Sequence, residues 1–576
     1  MRIRVVHDGF SVHAIAGTEV VLFGLDLPKN LAQVTLGFGF ERIDEETQQR
    51  QPLRGLKTFH ATEPPDHRPG TPVSTLDHPI QAFLWGDYLV EADRDYTYRV
   101  VAFGGTPEHL EPLAEMIVPV QTEAPHRGKH GIYFNRGAAA SQAYQRQFQN
   151  RHPKDVANRR AWKWLSRGLE EALLQFINRA APGDQLRAAM YEFHYPAVLE
   201  AFRAARDRGV DVRTVVDAKR NQQKDSRTGE RHDLPREPNL QATTDAQIDD
   251  IVTRRETNPS YIAHNKFIVH SRDGQPVAVW TGSTNVTSGG IFGHSNVGHV
   301  VRDPAVATQF LAYWDELAKD PGRSEIAIWT ELALIPTGKP TRGITPLFSP
   351  RKTTEALEWY ARLMDGARRS AFFTAAFGIS APIQAVLERN VDYLRYGLLE
   401  RGDDKIELLK RDRDNVFTVG TRIGSAIGGW AEESLTGLNG HVRYIHTKFM
   451  LIDPLSSDPI VITGSANFSN ASTRENDENM LVIRGDTRVA DIYLTEFMRL
   501  FNHFEFRQRV AEDDLEGGQG PVLAGALRLA TSSARATLAS GEPATQGLRH
   551  LDSVPGWALE HYHPGWRRTK ERLLFR

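Results

Sequence analysis

The sequence predicts an all-β segment followed by a duplicated α/β protein. Three observations carry this expectation. Residues 1–120 alternate apolar and polar side chains between turns rich in Gly, Pro and Asp. From about residue 160 helical and extended patterns alternate, and after about residue 345 that alternation begins again.

In the first segment EVVLFGLDL, AQVTLGFGF, IQAFLWGDYLV and YTYRVVAFGG read as strands. Tyr96 to Ala102 resembles a late strand of a fibronectin-type or immunoglobulin-like sandwich, so residues 1–125 are expected to form a small β-sandwich-like domain. Residues 121–160 read as a polar connection. Next come a helix, WKWLSRGLEEALLQFINRA, a strand, DQLRAAMYEFHY, a helix closed by Gly209, and the strand VDVRTVVDA. This order predicts an α/β layer with mainly parallel strands. The second round reads as helical TTEALEWYARLMDGA, extended SAFFTAAFGI, helical APIQAVLERNVDYLRYGL and extended DKIELLKR. The two halves are expected over 126–340 and 341–512, with a C-terminal arm over 513–576. The arm opens as a small-residue, Gly-rich stretch, a lid or loosely packed segment. It closes as VPGWALEHYHPGWRRTKERLLFR, expected to be a docked helix, with contact to an anionic surface as the alternative.

Composition narrows the function. The chain has 576 residues, a net charge of −2, 40% hydrophobic and 25% charged residues, and no cysteine. Disulfides, thiolate nucleophiles and Cys-based zinc sites are thereby excluded. No HExxH or comparable cluster suggests another metal. No apolar run approaches the roughly 20 residues of a spanning helix, and the N-terminus lacks a secretory apolar core. A cytoplasmic monomer is expected, with signal-independent export as the alternative.

The strongest signal is a repeated constellation. HNKFIVHSRDGQPVAVWTGSTN and HTKFMLIDPLSSDPIVITGSAN share His264/His446, Lys266/Lys448, Phe267/Phe449, Gly282/Gly464, Ser283/Ser465 and Asn285/Asn467, every pair 182 residues apart. Side chains at i and i+2 share one face of a strand, so each histidine projects with its lysine. The loop after each HxK strand returns a second strand ending in GSxN, which sets Ser and Asn beside the pair. An ammonium and an amide suit phosphate oxygens, and an imidazole can attack or carry a proton near neutral pH.

HxK followed by GSxN, twice in one chain, resembles the HKD phospholipase D superfamily over roughly residues 130–510. The resemblance implies two α/β halves packed face to face around one site on a pseudo-two-fold axis, with no metal or organic cofactor. One histidine attacks phosphorus to form a phosphohistidine, and the other protonates the leaving group and then activates water or an alcohol. Members cleave or exchange phosphodiesters in phospholipids or nucleic acids, and some are synthases. The motif's acid is present as Asp453 but is Ser271 in the first copy. The family also supplies a carboxylate beyond GSxN to orient the histidine. Here the second half offers Glu478, 32 residues after His446, and the first offers Asn296, 32 after His264. That amide resembles the tyrosyl-DNA phosphodiesterase branch. By this reading His264 is the nucleophile, its ring held by Asn296, and Glu478 raises the pKa of His446 as general acid. The reversed roles, and a dead first copy, are the alternatives.

His270, His299 and His441 are expected to be structural. Tyr191, Phe193, His194 and Phe377 end corresponding strands and either line the mouth of the site or close the core. The loops RRETNPSYIAH and TRIGSAIGGW are substrate-contacting or solvated, and the basic run 219–232 is a polyanion-binding loop or solvated surface. The leading functional expectation is a hydrolase of glycerophospholipids, with peripheral membrane contact through the β domain. The alternative is a nuclease or nucleic-acid end-processing enzyme, and last a non-catalytic phosphate-binding scaffold.

Overall fold

The structure is a computed structural model that describes every residue except 69, 138–140, 225–228, 258–260, 422–437, 439–441 and 517–548. TRIGSAIGGW (apart from Thr421), His441 and the Gly-rich part of the arm from 517 therefore lie outside the described residues, as do parts of RRETNPSYIAH and of the basic run.

The N-terminal segment is a sandwich of two four-stranded sheets. One is ordered Arg2–His7, Phe10–Ala16, Val21–Asp26, Leu84–Asp87, and the other His109–Gln121, Asp95–Thr106, Gly37–Asp44, Arg50–Pro52. Strict alternation puts Phe10, Val12, Phe23, Phe38, Phe40 and Tyr98 on the inner faces, where they are fully buried.

Two seven-stranded sheets follow, with the same topology. The first runs His130–Phe134, Val297–Val301, Gln275–Gly282, Lys266–Arg272, Gln185–Met190, Asp211–Asp217, Val252–Arg255. The second runs Gly343–Ser349, Glu478–Arg484, Ile460–Gly464, Phe449–Ile452, Ser370–Ala375, Leu394–Leu399, Asn415–Val419. Only the last two pairings of each sheet are parallel, so the mainly parallel layer expected from sequence is corrected to a mixed one. The reason is local. Short turns such as Asp273–Gly274 return the chain directly after the HxK strand, which permits only antiparallel pairing.

Two further expectations differ. Residues 121–160 are not only a connection, because His130–Phe134 forms the edge strand of the first sheet. In the second half Leu394–Leu399, read as helix, is a strand with both faces buried, and Asp404–Leu409, read as extended, is a helix capped by Asp403. A fully buried strand and a buried helix are equally apolar, so periodicity alone misassigns so short a run.

The inner faces of the two sheets share one core with the helices Pro304–Leu317 and Thr487–Glu516. Helices Leu169–Asn178 and Pro196–Asp207 cover the outer face of the first sheet, and Glu355–Asp365 and Ala381–Leu387 that of the second. The C-terminal helix Arg567–Phe575 docks, as expected from sequence. Glu571 accepts from Tyr396 Oη at 2.7 Å, His13 Nδ1 lies 2.9 Å from Phe575 O, and Trp557 Nε1 donates to Thr35 O at 3.0 Å. The segment thus ties the sandwich to the second half. Among the described residues no helix is long and apolar enough to cross a membrane.

Candidate active site

The segments ahead of the two HxK strands enter the site in the same way. Ala263 forms a parallel bridge with Asp477, and Ile445 one with Ser295. Asp477 N donates to Ile262 O at 3.1 Å, and Ser295 N to Tyr444 O at 2.7 Å. A shift of 182 residues turns each contact into the other, so these bridges straddle a pseudo-two-fold axis. His264 and His446 come next in the chain and therefore face the residues after the bridge partners.

Those residues belong to the opposite half. His264 Nδ1 lies 2.8 Å from Glu478 Oε2, and His446 Nδ1 lies 2.9 Å from Asn296 Oδ1. The expectation that each half orients its own histidine, with Glu478 on His446 and Asn296 on His264, is corrected. The backbone bridges cross the interface, and the side chains follow them.

Ser283 and Ser465 back up these groups rather than facing the lysines. Ser283 Oγ donates to Asn296 Oδ1 at 2.8 Å and accepts from Val297 N at 3.1 Å. Ser465 Oγ donates to Glu478 Oε2 at 2.7 Å and accepts from Asn479 N at 3.0 Å. The glycine before each serine is required by close approach: a Cβ at Gly282 or Gly464 would collide with the carbonyl oxygen of Val297 or Asn479.

Lys266 and Lys448 are each 1% exposed, and each ammonium donates to the carbonyl of its own histidine, at 2.7 and 2.6 Å. Neither forms an ion pair among the described residues. Burial lowers the pKa of Lys266 to about 8, and burial with repulsion from Lys266 pushes Lys448 well down. The histidines respond alike. Burial takes His264 to about 4 against the opposing pull of Glu478, and burial, Lys448 and His294 depress His446 strongly. Burial alone would raise Glu478, but His264, Lys266 and the Ser465 hydroxyl bring it below its usual range. The resulting state is a neutral His264 donating Nδ1–H to an ionised Glu478. His446 Nδ1–H donates to an amide oxygen, and neither Nε2 is bonded within the described structure. The site thus sets two buried ammonium groups and two imidazoles around one ionised carboxylate, Glu478.

The amides of the GSxN turns differ between halves. Asn285 Nδ2 donates to Glu192, while Oδ1 of both Asn285 and Asn467 is buried without a partner among the described residues. Glu192 was not singled out from sequence, and Tyr191, expected to line the mouth of the site or close the core, reaches the cluster with it: the Tyr191 ring lies 5.2 Å from Lys266 Nζ and 4.9 Å from the His264 ring. Their position at the exit of a strand beside the HxK strand was the available signal. Phe193 closes the core, and Phe377 is exposed. The His294 ring lies 4.6 Å from that of His446, tilted by 47°.

Carboxylates also fix the backbone ahead of each histidine. Asp217 Oδ2 accepts from Ala263 N at 2.7 Å, and burial raises that carboxyl to about 6. Glu400 accepts from Arg443, Tyr444 and Ile445 N at 2.7, 3.1 and 2.8 Å. Asp453, expected to support the site, stands at the far end of its strand. It accepts from the backbone N–H groups of Arg368, Arg369 and Ser370. Ser271 occupies the corresponding strand end in the first half, so its departure from the motif leaves the pocket untouched. His270 is tied to Asp184 at 2.8 Å and His299 to His130 at 2.9 Å, both in structural positions.

A family model described as "Cardiolipin synthase, PLD-like domain" matches residues 173–318 and 416–501, the stretches that carry both histidines and both lysines. The chain belongs to the phospholipase D superfamily. No curated protein sequence matches it. Similar solved structures include three from bacteria. Polyphosphate kinase from Porphyromonas gingivalis is 12% identical with a TM-score of 0.34, covering 56% of this chain and 46% of its own. Phosphatidylserine synthase from Haemophilus influenzae Rd KW20 is 12% identical with a TM-score of 0.39, covering 59% of this chain and 85% of its own. Nuc, a phospholipase D family member from Salmonella typhimurium, is 27% identical with a TM-score of 0.20, covering 26% of this chain and 84% of its own. The match thus spans less than half of the kinase's length. In this phospholipase D superfamily member, two imidazoles and two ammonium groups converge at one site.

Proposed function

We propose that the protein is a phosphodiesterase that hydrolyses glycerophospholipids through a phosphohistidine on His264. The observation that carries this reading is the crossed pairing, which gives the two histidines unlike partners. His264, held neutral with Nδ1–H on Glu478, is suited to attack phosphorus through Nε2. Lys266, Lys448, Asn285 and Asn467 hold the phosphoryl oxygens, and Ser283 and Ser465 keep Asn296 and Glu478 in place. As the Nε2–P bond forms and the P–O bond to the leaving alcohol breaks, His446 Nε2–H gives its proton to that oxygen. Water then attacks phosphorus, His446 Nε2 takes its proton, and the P–N bond breaks to restore His264. An alcohol in place of water would give exchange. The lipid assignment is supported by the lipid-synthase description of the matched domain.

A second reading, cleavage of nucleic acid, has one observation in its favour. A two-stranded ribbon, Gln222–Lys224 with Arg231–Asp233, leaves the strand that ends at Asp217, beside His264, and exposes Arg220, Lys224 and Arg231.

The test offers vesicles of phosphatidylcholine, phosphatidylethanolamine and phosphatidylglycerol, single- and double-stranded DNA, and RNA, all in EDTA. Headgroup release without strand cleavage is expected, and cleavage of DNA or RNA alone would replace the first reading with the second. The intermediate is tested with a bis-aryl phosphodiester and His446→Asn. An aryl oxide needs no acid, so an acid-labile phosphoryl adduct should accumulate on His264, and an adduct elsewhere would overturn the assignment.

A further inference from the structure

A cavity of about 930 Å³ lies away from the histidines, between the sandwich and the C-terminal segment. Its walls come from three parts of the chain. The sandwich supplies Lys57, Trp85 and Tyr88, the end of the helix Thr487–Glu516 supplies Arg509, and the C-terminal segment supplies Trp557 and Arg568. A volume of this size suits one small-molecule ligand.

The charge of the lining is unbalanced. Six arginine and lysine side chains face three carboxylates there. Each carboxylate is already engaged: Asp87 by Arg42 at 2.8 Å, Glu560 by Arg568, and Glu571 by Tyr396 Oη at 2.7 Å. Arg509 pairs with Glu505 at 3.0 Å. Lys57 is half-buried, and among the described residues its ammonium has no hydrogen bond or ion pair. Its charged neighbours are Arg509 and Arg568, which repel it, and Asp552, which does not reach ion-pair distance. A half-buried ammonium set against two guanidinium groups costs free energy unless an anion joins them. Flat aromatic and aliphatic walls, Trp85, Tyr88 and Ile80, stand beside that cation cluster.

We propose that this cavity is a second ligand site, which binds an organic phosphate of about nucleotide size with its phosphate between Lys57 and Arg509. The site is separate from the phosphodiester chemistry and takes its ligand without reaction. Burial and the flanking arginines lower Lys57 to about 8, which makes its amine acylable at mild pH and gives a readout located at the site itself.

The experiment acetylates the intact protein with a water-soluble N-hydroxysuccinimide ester at pH 8, near the Lys57 pKa of about 8. Labelling of individual lysines is followed by peptide mass mapping, with pyrophosphate or ATP present in EDTA, against sodium chloride of equal ionic strength. Lys57 labelling should slow by about tenfold at about ten times the probe's Kd, while exposed Lys154 is unchanged. Protection by pyrophosphate places the anion, and stronger protection by ATP places the ring on the aromatic wall. Arg509→Gln, which leaves Lys57 free to react, should lose the protection. Equal labelling with either probe and with chloride would overturn the proposal, as would full protection in Arg509→Gln. Basal phosphodiester hydrolysis by Arg509→Gln should match wild type, which also reports that the variant is folded.

Discussion

His264 Nδ1 sits 2.8 Å from a carboxylate that the chain supplies 214 residues later and from the other half of the molecule, Glu478. In the proposed mechanism the carboxylate fixes the tautomer, so that Nε2 carries the lone pair, and it stabilises the cation that forms when Nε2 bonds to phosphorus. Glu478→Gln keeps the shape but removes that charge and can offer the wrong hydrogen-bonding group. We expect kcat to fall by about 10²–10⁴-fold with KM changed little, measured on a bis-aryl phosphodiester. Asn296→Ala, which removes a neutral partner from His446, should cost less. Equal losses would mean that the two histidines are equivalent.

The same asymmetry sets the pH dependence. The proposed roles require a neutral His264 and a protonated His446, and kcat/KM reports these groups in the free enzyme. Both pKa values lie below the ordinary 6.5, so the alkaline limb of kcat/KM should lie below that value. A bound phosphodiester anion offsets Lys448 and Lys266 and raises His446, so the alkaline limb of kcat should lie at higher pH than that of kcat/KM. Asn296→Asp would add a carboxylate beside His446 and shift the kcat/KM limb upward. Profiles of kcat/KM that stay flat to pH 8 would assign the acid role elsewhere.

In the proposed mechanism the buried Lys448 ammonium holds a phosphoryl oxygen, so removing it should stabilise the protein in the absence of substrate. In the folded state its pKa is lowered, so the unfolded chain holds the proton more tightly. The cost of the buried charge is therefore full below the folded pKa and fades as pH rises toward the unfolded value. Lys448→Met should raise the apparent Tm by about 2–4 °C at neutral pH, with a smaller gain in alkali, while abolishing turnover. Inorganic phosphate should raise the wild-type Tm more than that of the variant. A lower Tm for Lys448→Met at neutral pH would show that the ammonium stabilises the apoprotein.

The two HxK–GSxN units were legible because local spacing alone carries them: i and i+2 on a strand end, and a glycine that must pass a neighbouring carbonyl. The crossing of His264 to Glu478 was not legible, since a distance of 32 residues along the chain favours Glu478 for His446 just as well. Only the bridges Ala263–Asp477 and Ser295–Ile445 decide it. Glu192, Asp217 and Glu400 escaped for a related reason. They stand at the ends of strands one or two places from the HxK strands in the sheet but lie tens of residues away in sequence. Where local signals existed, as with the Asp403 cap of Asp404–Leu409, an apolar run outweighed them.

Asp453 separates motif membership from chemistry. It lies in the motif, five residues after Lys448, yet its carboxylate receives Arg368 N, Arg369 N and Ser370 N at 2.9, 2.7 and 3.1 Å and fixes the start of the neighbouring strand. Its backbone, at φ 46°, adds a conformation that Asn tolerates and Ala does not favour. Asp453→Ala should therefore destabilise the protein by about 1–3 kcal/mol through unpaired N–H groups and strain. Asp453→Asn, which keeps one acceptor oxygen and the αL preference, should cost less. For either variant kcat per folded molecule should remain within about threefold of wild type, because no contact links this carboxylate to His446 or Lys448. Denaturant unfolding followed beside single-turnover kinetics separates the two effects. A fall in kcat of about 10²-fold at unchanged stability would return Asp453 to the catalytic apparatus.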